Sequence, residues 1–232
     1  KVYALGGLNE IGKNMYCVEH DNEIIIIDAG VKFAEEGLPG IDYVIPDYSY
    51  LKRNENKIRG LLITHGHEDH IGGIPFLLQV VKIPFIYASP LACAMITRKL
   101  EEKRLTNATH LIRIDDEYQI KTKYFNIGFF KTNHSIPESL GIIINSPNGR
   151  IVSTGDFKFD LTPVGDPADF QKMSFLGETG VTLLLSDSTN AEVPTFSKSE
   201  KQVAYAVQEE FRKTEGRLIV ATFASNVHQI GR

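Results

Sequence analysis

Three histidines and two acidic residues lie within six positions of the chain, in the segment from His65 to His70. The whole chain holds only seven histidines in 232 residues, so scattered surface histidines do not account for this density. Imidazole nitrogens and carboxylate oxygens are the ligands that zinc prefers, at bond lengths of about 2.0–2.2 Å. The segment therefore predicts a metal site. The alternative, a polar loop with incidental histidines, is disfavoured because the pattern predicts a strand before the segment and a helix after it.

The order of these residues indicates how they divide between ions. A buried run, Gly60–Thr64, reads as a strand that ends just before the cluster. Alternate residues of a strand share a face, so His65 and His67 can reach one ion together. Asp69 and His70 come after the turn and are therefore predicted to point toward a neighbouring position.

Three more potential ligands or supporting groups follow predicted strands elsewhere in the chain. His134 and Asp156 each come directly after such a strand, and Asp28 ends a strongly apolar one. Loops at strand ends are where functional residues concentrate. His134 alone could be a surface histidine, and Asp156 alone could serve a turn, but beside the histidine cluster both are interpreted as ligands.

Hydrophobic patterning predicts alternating strands and helices, hence layered sheets with helices outside them in an α/β (α+β) fold. The predicted strands are 14–19, 23–29, 59–64, 85–88, 109–114, 123–132, 140–146, 150–154, 181–186 and 217–222. The predicted helices are 69–80, 90–104 and 198–213. Ser197, with Glu200 three positions later, predicts a capping box at the start of the last helix.

Composition restricts the class of protein. With 42% hydrophobic and 23% charged residues, the chain is typical of a soluble globular protein rather than a disordered or fibrous one. No apolar stretch reaches the roughly 20 residues of a membrane span, and no secretory leader is visible at Lys1. Two cysteines and no leader favour a reduced, cytoplasmic location. The net charge of −4 does not indicate a nucleic-acid binder, and the last residues predict a chain that continues past Arg232.

Several segments together are similar to the metallo-β-lactamase superfamily and, within it, to the ribonuclease J family of the β-CASP nuclease group. The similarity extends over nearly the whole chain and includes segments outside the motifs that all hydrolases of the superfamily share. The segments are Leu5–Asn14, His65–Gly73, Asn133–Pro137, Gly155–Asp160, Ser186–Asn190 and Phe223–His228.

This resemblance implies a four-layer αβ/βα sandwich that is incomplete here. Residues 1–186 would form the N-terminal part of the metallo-β-lactamase domain, and residues 187–232 would begin a truncated β-CASP domain. It also implies two zinc ions, with manganese or magnesium as alternatives. The implied ligands are His65, His67 and His134 for the first ion, Asp69 and His70 for the second, and Asp156 as the bridge.

The resemblance assigns further roles. Asp28 supports the ligands through hydrogen bonds without binding metal, and Asp187 joins Asp69 and His70 as a catalytic residue by orienting a histidine that lies beyond this chain. Asp187 could instead be an ordinary turn residue. Ser225 and Asn226 are predicted to bind substrate phosphate at a helix start, although capping a structural helix is an alternative.

The implied activity is hydrolysis of RNA phosphodiesters by a metal-bridged hydroxide, as a 5′-to-3′ exonuclease, an endonuclease or both, in RNA maturation (including rRNA processing) and decay. The implied partners are single-stranded RNA with a 5′-monophosphate and further subunits, either identical copies or a paralogue, with no membrane involved. Two alternatives stay open: a thioesterase or lactonase with the same metal site, and a non-catalytic subunit of a ribonuclease J complex.

Overall fold

Two β-sheets stacked face to face form the centre of the molecule. The structure is a computed structural model that describes residues 1–34 and 38–221. The first sheet has six strands in the order β1-β2-β3-β6-β7-β8, and the second has five in the order β13-β12-β11-β10-β9. The short strands β4 and β5 pair only with each other. No helix within these described ranges is long and apolar enough to cross a membrane.

The strands are β1 (Val2–Gly6), β2 (Met15–His20), β3 (Glu23–Ile27), β4 (Lys32–Phe33), β5 (Tyr43–Val44), β6 (Ile58–Leu62), β7 (Phe85–Ala88), β8 (His110–Arg113), β9 (Ile120–Lys121), β10 (Asn126–Lys131), β11 (Leu140–Ser146), β12 (Gly149–Ser153) and β13 (Leu183–Leu185). The helices are α1 (Ser49–Arg53), α2 (Glu68–Ile71), α3 (Ile74–Val80), α4 (Pro90–Glu102), α5 (Phe170–Thr179) and α6 (Glu200–Lys213), with a 3₁₀ turn at Glu55–Lys57.

Side-chain alternation along the buried strands divides the apolar core into layers. In β3, Ile24 and Ile26 pack in the cluster under α3 and α4, whereas Ile25 and Ile27 pack between the two sheets. In the second sheet, Phe130 faces outward into a smaller cluster that includes Leu176 of α5. Successive side chains of a strand point to opposite faces, so each sheet is buried on both sides. The resulting order, helix–sheet–sheet–helix, confirms the predicted layered fold.

Most of the predicted elements are present. Strands β7 and β11 have the predicted bounds, and the predicted strands 14–19 and 23–29 form the antiparallel pair β2 and β3, which turns at residues 21–22. The predicted strand 217–222 is wrong, because residues 217–221 form no strand and residue 222 lies outside the described chain. The predicted helix 69–80 is two helices, α2 and α3, since consecutive glycines at 72 and 73 are poor helix formers.

The capping box of α6 is displaced from its predicted position by two residues. Ser199 is the N-cap, and its hydroxyl accepts from the Gln202 N–H while Gln202 reaches back to the Ser199 N–H. The Glu200 carboxylate is instead paired with the Lys158 ammonium, so it is not available to cap Ser197.

Glu23 connects the two sheets through a buried carboxylate. Its oxygens accept from the Arg59 guanidinium at 2.9 Å, from the Thr122 hydroxyl at 2.7 Å and from the backbone N–H of Tyr124 at 3.1 Å. Burial alone would raise the pKa of this carboxyl, but these hydrogen bonds outweigh burial and lower the pKa below its ordinary value. The charged form of Glu23 therefore stabilises the fold.

We expect Glu23→Gln to destabilise the protein by about 2 kcal/mol at neutral pH, since hydrogen bonds to a buried charge are lost. A lowered folded-state pKa means that this stabilisation is present above the unfolded-state pKa of about 4.3 and is lost as the pH falls through the folded-state value. Urea unfolding from about pH 7 down to about pH 2 should show the wild-type and variant midpoints converging. Glu101→Gln on the exposed face of α4 is the control, and an unchanged midpoint at neutral pH for Glu23→Gln would contradict the prediction.

Candidate metal centre

The candidate site lies where strands of both sheets end. Strands β3 and β6 are parallel and finish at the same edge, placing Asp28 next to the segment that begins at His65. In the second sheet, β10 and β12 are both antiparallel to β11, so they run in one direction and their carboxyl ends meet. His134 and Asp156 follow these two strands. The topology thus gathers residues that are up to 128 positions apart in the sequence.

Three histidine nitrogens form a first donor group. Nδ1 of His67 lies 3.0 Å from Nε2 of His65 and 3.1 Å from Nε2 of His134. Oδ2 of Asp156 lies 3.5 Å from the His134 nitrogen and 3.9 Å from the His65 nitrogen. Two ligands about 2.1 Å from one tetrahedral ion stand roughly 3.4 Å apart, so these separations are those of side chains that could hold one metal ion.

A second donor group lies beside the first and uses the other oxygen of Asp156. Nε2 of His70 is 3.3 Å from Oδ1 of Asp156 and 3.4 Å from Oδ2 of Asp69. His65, His70 and Asp156 also satisfy the geometry of a three-residue metal group. Because Asp156 faces both groups with different oxygens, it is the residue through which two ions could be joined.

Asp28 and Thr64 hold the histidines in place from behind. Oδ2 of Asp28 lies 2.8 Å from Nδ1 of His70 and accepts the Thr64 hydroxyl at 2.9 Å, while Oδ1 accepts the Thr64 N–H at 2.8 Å. The Thr64 hydroxyl also lies 3.0 Å from Nδ1 of His65. A carboxylate on Nδ1 fixes the ring and leaves Nε2 directed at the metal position, which is the usual support for a metal-binding histidine. Asp28 adopts a left-handed backbone conformation with φ of 58°, a strained geometry typical of functional sites.

Close backbone packing beneath the candidate metal centre requires glycine at position 30. The Asn14 carbonyl accepts the Gly30 N–H, and the Asn14 N–H donates to the Asp69 carbonyl, which locks three segments together. A Cβ atom at position 30 would lie 1.6 Å from the Asp69 carbonyl oxygen. Only glycine allows α2 to sit this close to the end of β3.

Burial keeps three of the histidines neutral. His65 is 1% exposed, and its burial, with the neighbouring histidines, lowers its pKa well below the ordinary value. Burial likewise lowers the pKa of His134 to about 4, although the charge of Asp156 opposes this shift. Burial also lowers the pKa of His67. Neutral imidazole is the form that binds a metal ion, so these histidines need not lose a proton first.

His70 behaves in the opposite way because carboxylates surround it. Burial by itself would lower its pKa, but the charge of Asp28 and hydrogen bonds with Asp156, Asp28 and Asp69 raise the pKa well above the ordinary value. Asp69 and Asp156 have lowered pKa values, since the His70 contacts outweigh the effect of burial. The second group therefore carries net negative charge available for a cation.

Of the remaining predicted site residues, the structure describes Asp187. Asp187 follows β13 at the same edge and is half-buried, and its charge raises the pKa of His134, opposing burial. Its Oδ1 accepts from the N–H and hydroxyl of Thr189, as a turn-forming aspartate does. Ser225 and Asn226 lie outside the described residues.

Sequence reasoning missed Thr64 and Asn14. Thr64 directly precedes the histidine cluster, and its position was the only signal available. Asn14 is 55 residues from Asp69, yet its Nδ2 lies 3.3 Å from Oδ2 of Asp69. A contact between residues so far apart in sequence depends on the pairing of β2 with β3 and of β3 with β6, which the local sequence around Asn14 does not specify.

Curated relatives with high identity are ribonucleases by name. The chain is 57% identical over 229 residues to "Ribonuclease J 1" of Streptococcus pyogenes serotype M3, a match that covers 99% of this chain and 41% of that protein. It is 46% identical over 230 residues to "Ribonuclease J" of Mycoplasma genitalium, covering 99% of this chain and 40% of that protein. The expected similarity to the N-terminal portion of ribonuclease J is confirmed, and the chain spans about two fifths of the length of these relatives.

A solved structure with the same fold is a protein of unknown function from Enterococcus faecalis V583. Its TM-score is 0.68 at 15% identity, and the match covers 99% of this chain and 61% of that one. At this identity the likeness concerns the fold alone.

The sequence profile described as "Metallo-beta-lactamase superfamily" matches residues 8–191. This range contains both donor groups, the supporting Asp28 and every strand of the two sheets except β1, which lies before residue 8. The profile, the four-layer fold and the histidine–aspartate centre agree, and the chain belongs to the metallo-β-lactamase superfamily.

Proposed function

We propose that this chain is the metal-binding part of a zinc-dependent ribonuclease that hydrolyses RNA phosphodiesters. The observation that carries the proposal is the pair of donor groups sharing Asp156, in a chain 57% identical to a protein named ribonuclease J 1. Pairs of adjacent metal ions occur in many enzymes that hydrolyse phosphodiesters.

The donor set fits the proposed metal. In this proposal, His65, His67, His134 and one oxygen of Asp156 would hold one zinc ion, and Asp69, His70 and the other oxygen of Asp156 would contribute to a second. Nitrogen and carboxylate donors are zinc ligands, and the oxygen-rich second group also suits manganese or magnesium. Further ligands for the second ion would come from the part of the protein beyond this chain.

Each residue around the ions has a distinct task in this proposal. When bound, the ions supply the Lewis acidity that activates a water molecule and neutralises charge on the phosphoryl oxygens. Asp28 keeps His70 in the orientation that presents Nε2, through the 2.8 Å contact with Nδ1. Asp69 and His70 line the reacting side of the centre, and Asp187 positions a histidine supplied by the rest of the protein.

The proposed substrate is single-stranded RNA, preferably with a 5′-monophosphate, attacked as an exonuclease, an endonuclease or both during RNA maturation and decay in the cytoplasm. The metallo-β-lactamase domain would comprise residues 1–186, and residues 187–232 would begin a β-CASP domain. Ser225 and Asn226 are proposed to contact phosphate there. The complete protein is proposed to work as a homo-oligomer or with a paralogue.

Two other functions have weaker support. A thioesterase or lactonase would use the same donors, but the similarity to ribonuclease J continues beyond residue 191, where the superfamily profile ends. A non-catalytic subunit is expected to lose ligands, whereas all six proposed donors are present in this chain.

Salt dependence separates a nuclease from a small-molecule hydrolase. Each phosphate contact releases counterions, so the affinity for single-stranded RNA should fall by roughly 0.7 log units per log unit of salt for every phosphate contacted. We expect the full-length protein to show a slope equivalent to several contacts, measured by fluorescence anisotropy with a 5′-monophosphorylated oligonucleotide.

A lactone or thioester is the matched control substrate, because its binding should be nearly independent of salt. The same zinc-loaded preparation should cleave RNA and leave these esters unchanged. Full-length protein that hydrolysed lactones but left RNA intact at low salt would overturn the ribonuclease proposal.

A further inference from the structure

Asn14 directly precedes β2 and contacts the second donor group with both its backbone and its side chain. The backbone N–H donates to the Asp69 carbonyl at 3.0 Å. The side-chain nitrogen, Nδ2, lies 3.3 Å from Oδ2 of Asp69 and 3.2 Å from Nε2 of His70. The amide is therefore in contact with the two atoms of Asp69 and His70 that face the metal position.

The contact to Asp69 has a clear direction. An amide NH₂ carries only donors, and an ionised carboxylate carries only acceptors, so Asn14 donates to Asp69. His70 is held independently, because Asp28 occupies its Nδ1 at 2.8 Å. Asp69 has no hydrogen bond with Asp28 or Thr64 among those of the described residues. Its Oδ2 instead contacts the Asn14 amide at 3.3 Å and Nε2 of His70 at 3.4 Å.

The Asn14 amide packs against the preceding loop. Its Oδ1 faces Gly7, where an added Cβ would lie 2.7 Å from that oxygen, and Gly7 adopts a φ of 83° that favours glycine. The Tyr16 hydroxyl donates to the Gly7 carbonyl at 2.9 Å and closes the loop. A side chain constrained in this way can hold a neighbouring carboxylate with little loss of entropy.

We propose that Asn14 is a positioning residue for the second metal ion: its amide holds the Asp69 carboxylate beside His70 so that both bind the ion with full affinity. The inference rests on the proposed two-ion function and names one more residue of that site. Within the described chain, no hydrogen bond joins Asn14 to His65, His67 or His134, so the first ion should not depend on it.

Asn14→Leu tests this role because leucine keeps the branching of asparagine at Cγ but carries no donor, and Asn14→Ala removes the whole amide group. Zinc binding to metal-free, full-length protein would be titrated against a competing chelator. Loss of a residue that supports a metal ligand typically weakens binding by about 10–100-fold. We expect one of two zinc affinities to fall by about that factor in both variants, with the other affinity and the metal-free melting temperature unchanged.

Asn107→Ala, at an exposed turn before β8, is the matched control and should bind both ions like wild type. Three results would each overturn the positioning role of Asn14: equal loss of affinity for both ions, wild-type affinity for both ions, or failure of both Asn14 variants to fold. Wild-type protein that held fewer than two zinc ions would instead contradict the proposed two-ion function. Wild-type protein with two ions and an unaffected Asn14→Leu variant would contradict the role of Asn14 alone.

Discussion

Full-length protein carrying Asp156→Asn is expected to lose the proposed ribonuclease activity by at least about a hundred-fold, with the fold retained. The two Asp156 oxygens face different donor groups, at 3.3 Å from His70 and 3.5 Å from His134. Asparagine keeps the side-chain shape but replaces one oxygen with an NH₂ group that cannot bind a cation. This one substitution should therefore weaken the binding of both ions. That result distinguishes a bridging residue from a residue that binds a single ion.

Asp166→Asn provides the control for this experiment. Asp166 follows the same strand, but its side chain is 81% exposed and pairs with Lys131 away from the donor groups. Its variant should retain activity and two equivalents of zinc by elemental analysis. Wild-type cleavage rates in Asp156→Asn would show that Asp156 is not the bridge, and loss of a single ion would restrict it to one donor group.

The layered fold was predictable because each buried strand carries its own pattern. The isoleucines of β3 and the alternation around Phe130 require apolar partners on both faces, which implies sheets covered by helices. Residues 217–221 show the limit of such patterns. Their apolar run reads as a strand, but Ile219 is 85% exposed, and the described structure provides no neighbouring strand for it. Local propensity cannot supply a pairing partner.

The candidate site was also predictable from the sequence only in part. The histidine segment could be found because its donors are adjacent in sequence, and His134 and Asp156 because each follows a predicted strand. The contacts of Asn14 could not be found, since they depend on the approach of Gly30 to the Asp69 carbonyl. The support from Thr64 depends on its side chain facing Asp28, a rotamer that tertiary packing decides.

The His65→Ala, His67→Ala double variant is expected to lose most of the bound metal. These residues provide two of the three nitrogens of the first donor group, separated by 3.0 Å. Alanine leaves only His134 and Asp156 of the first donor group, too few for the four-coordinate geometry that zinc prefers. The chain described here contains the whole first group, so the measurement can be made on it directly, by elemental analysis after dialysis against a weak chelator.

His20→Ala, His110→Ala is the matched double variant, since it removes the same number of imidazoles from outside the centre. His20 packs on Tyr124 and His110 on Phe85, and neither belongs to a metal-binding group among the described residues. The control should keep its metal while the His65, His67 variant loses it. Equal metal content in the two variants would place the ion elsewhere, because a site that survives the removal of both nitrogens cannot be the one that they define.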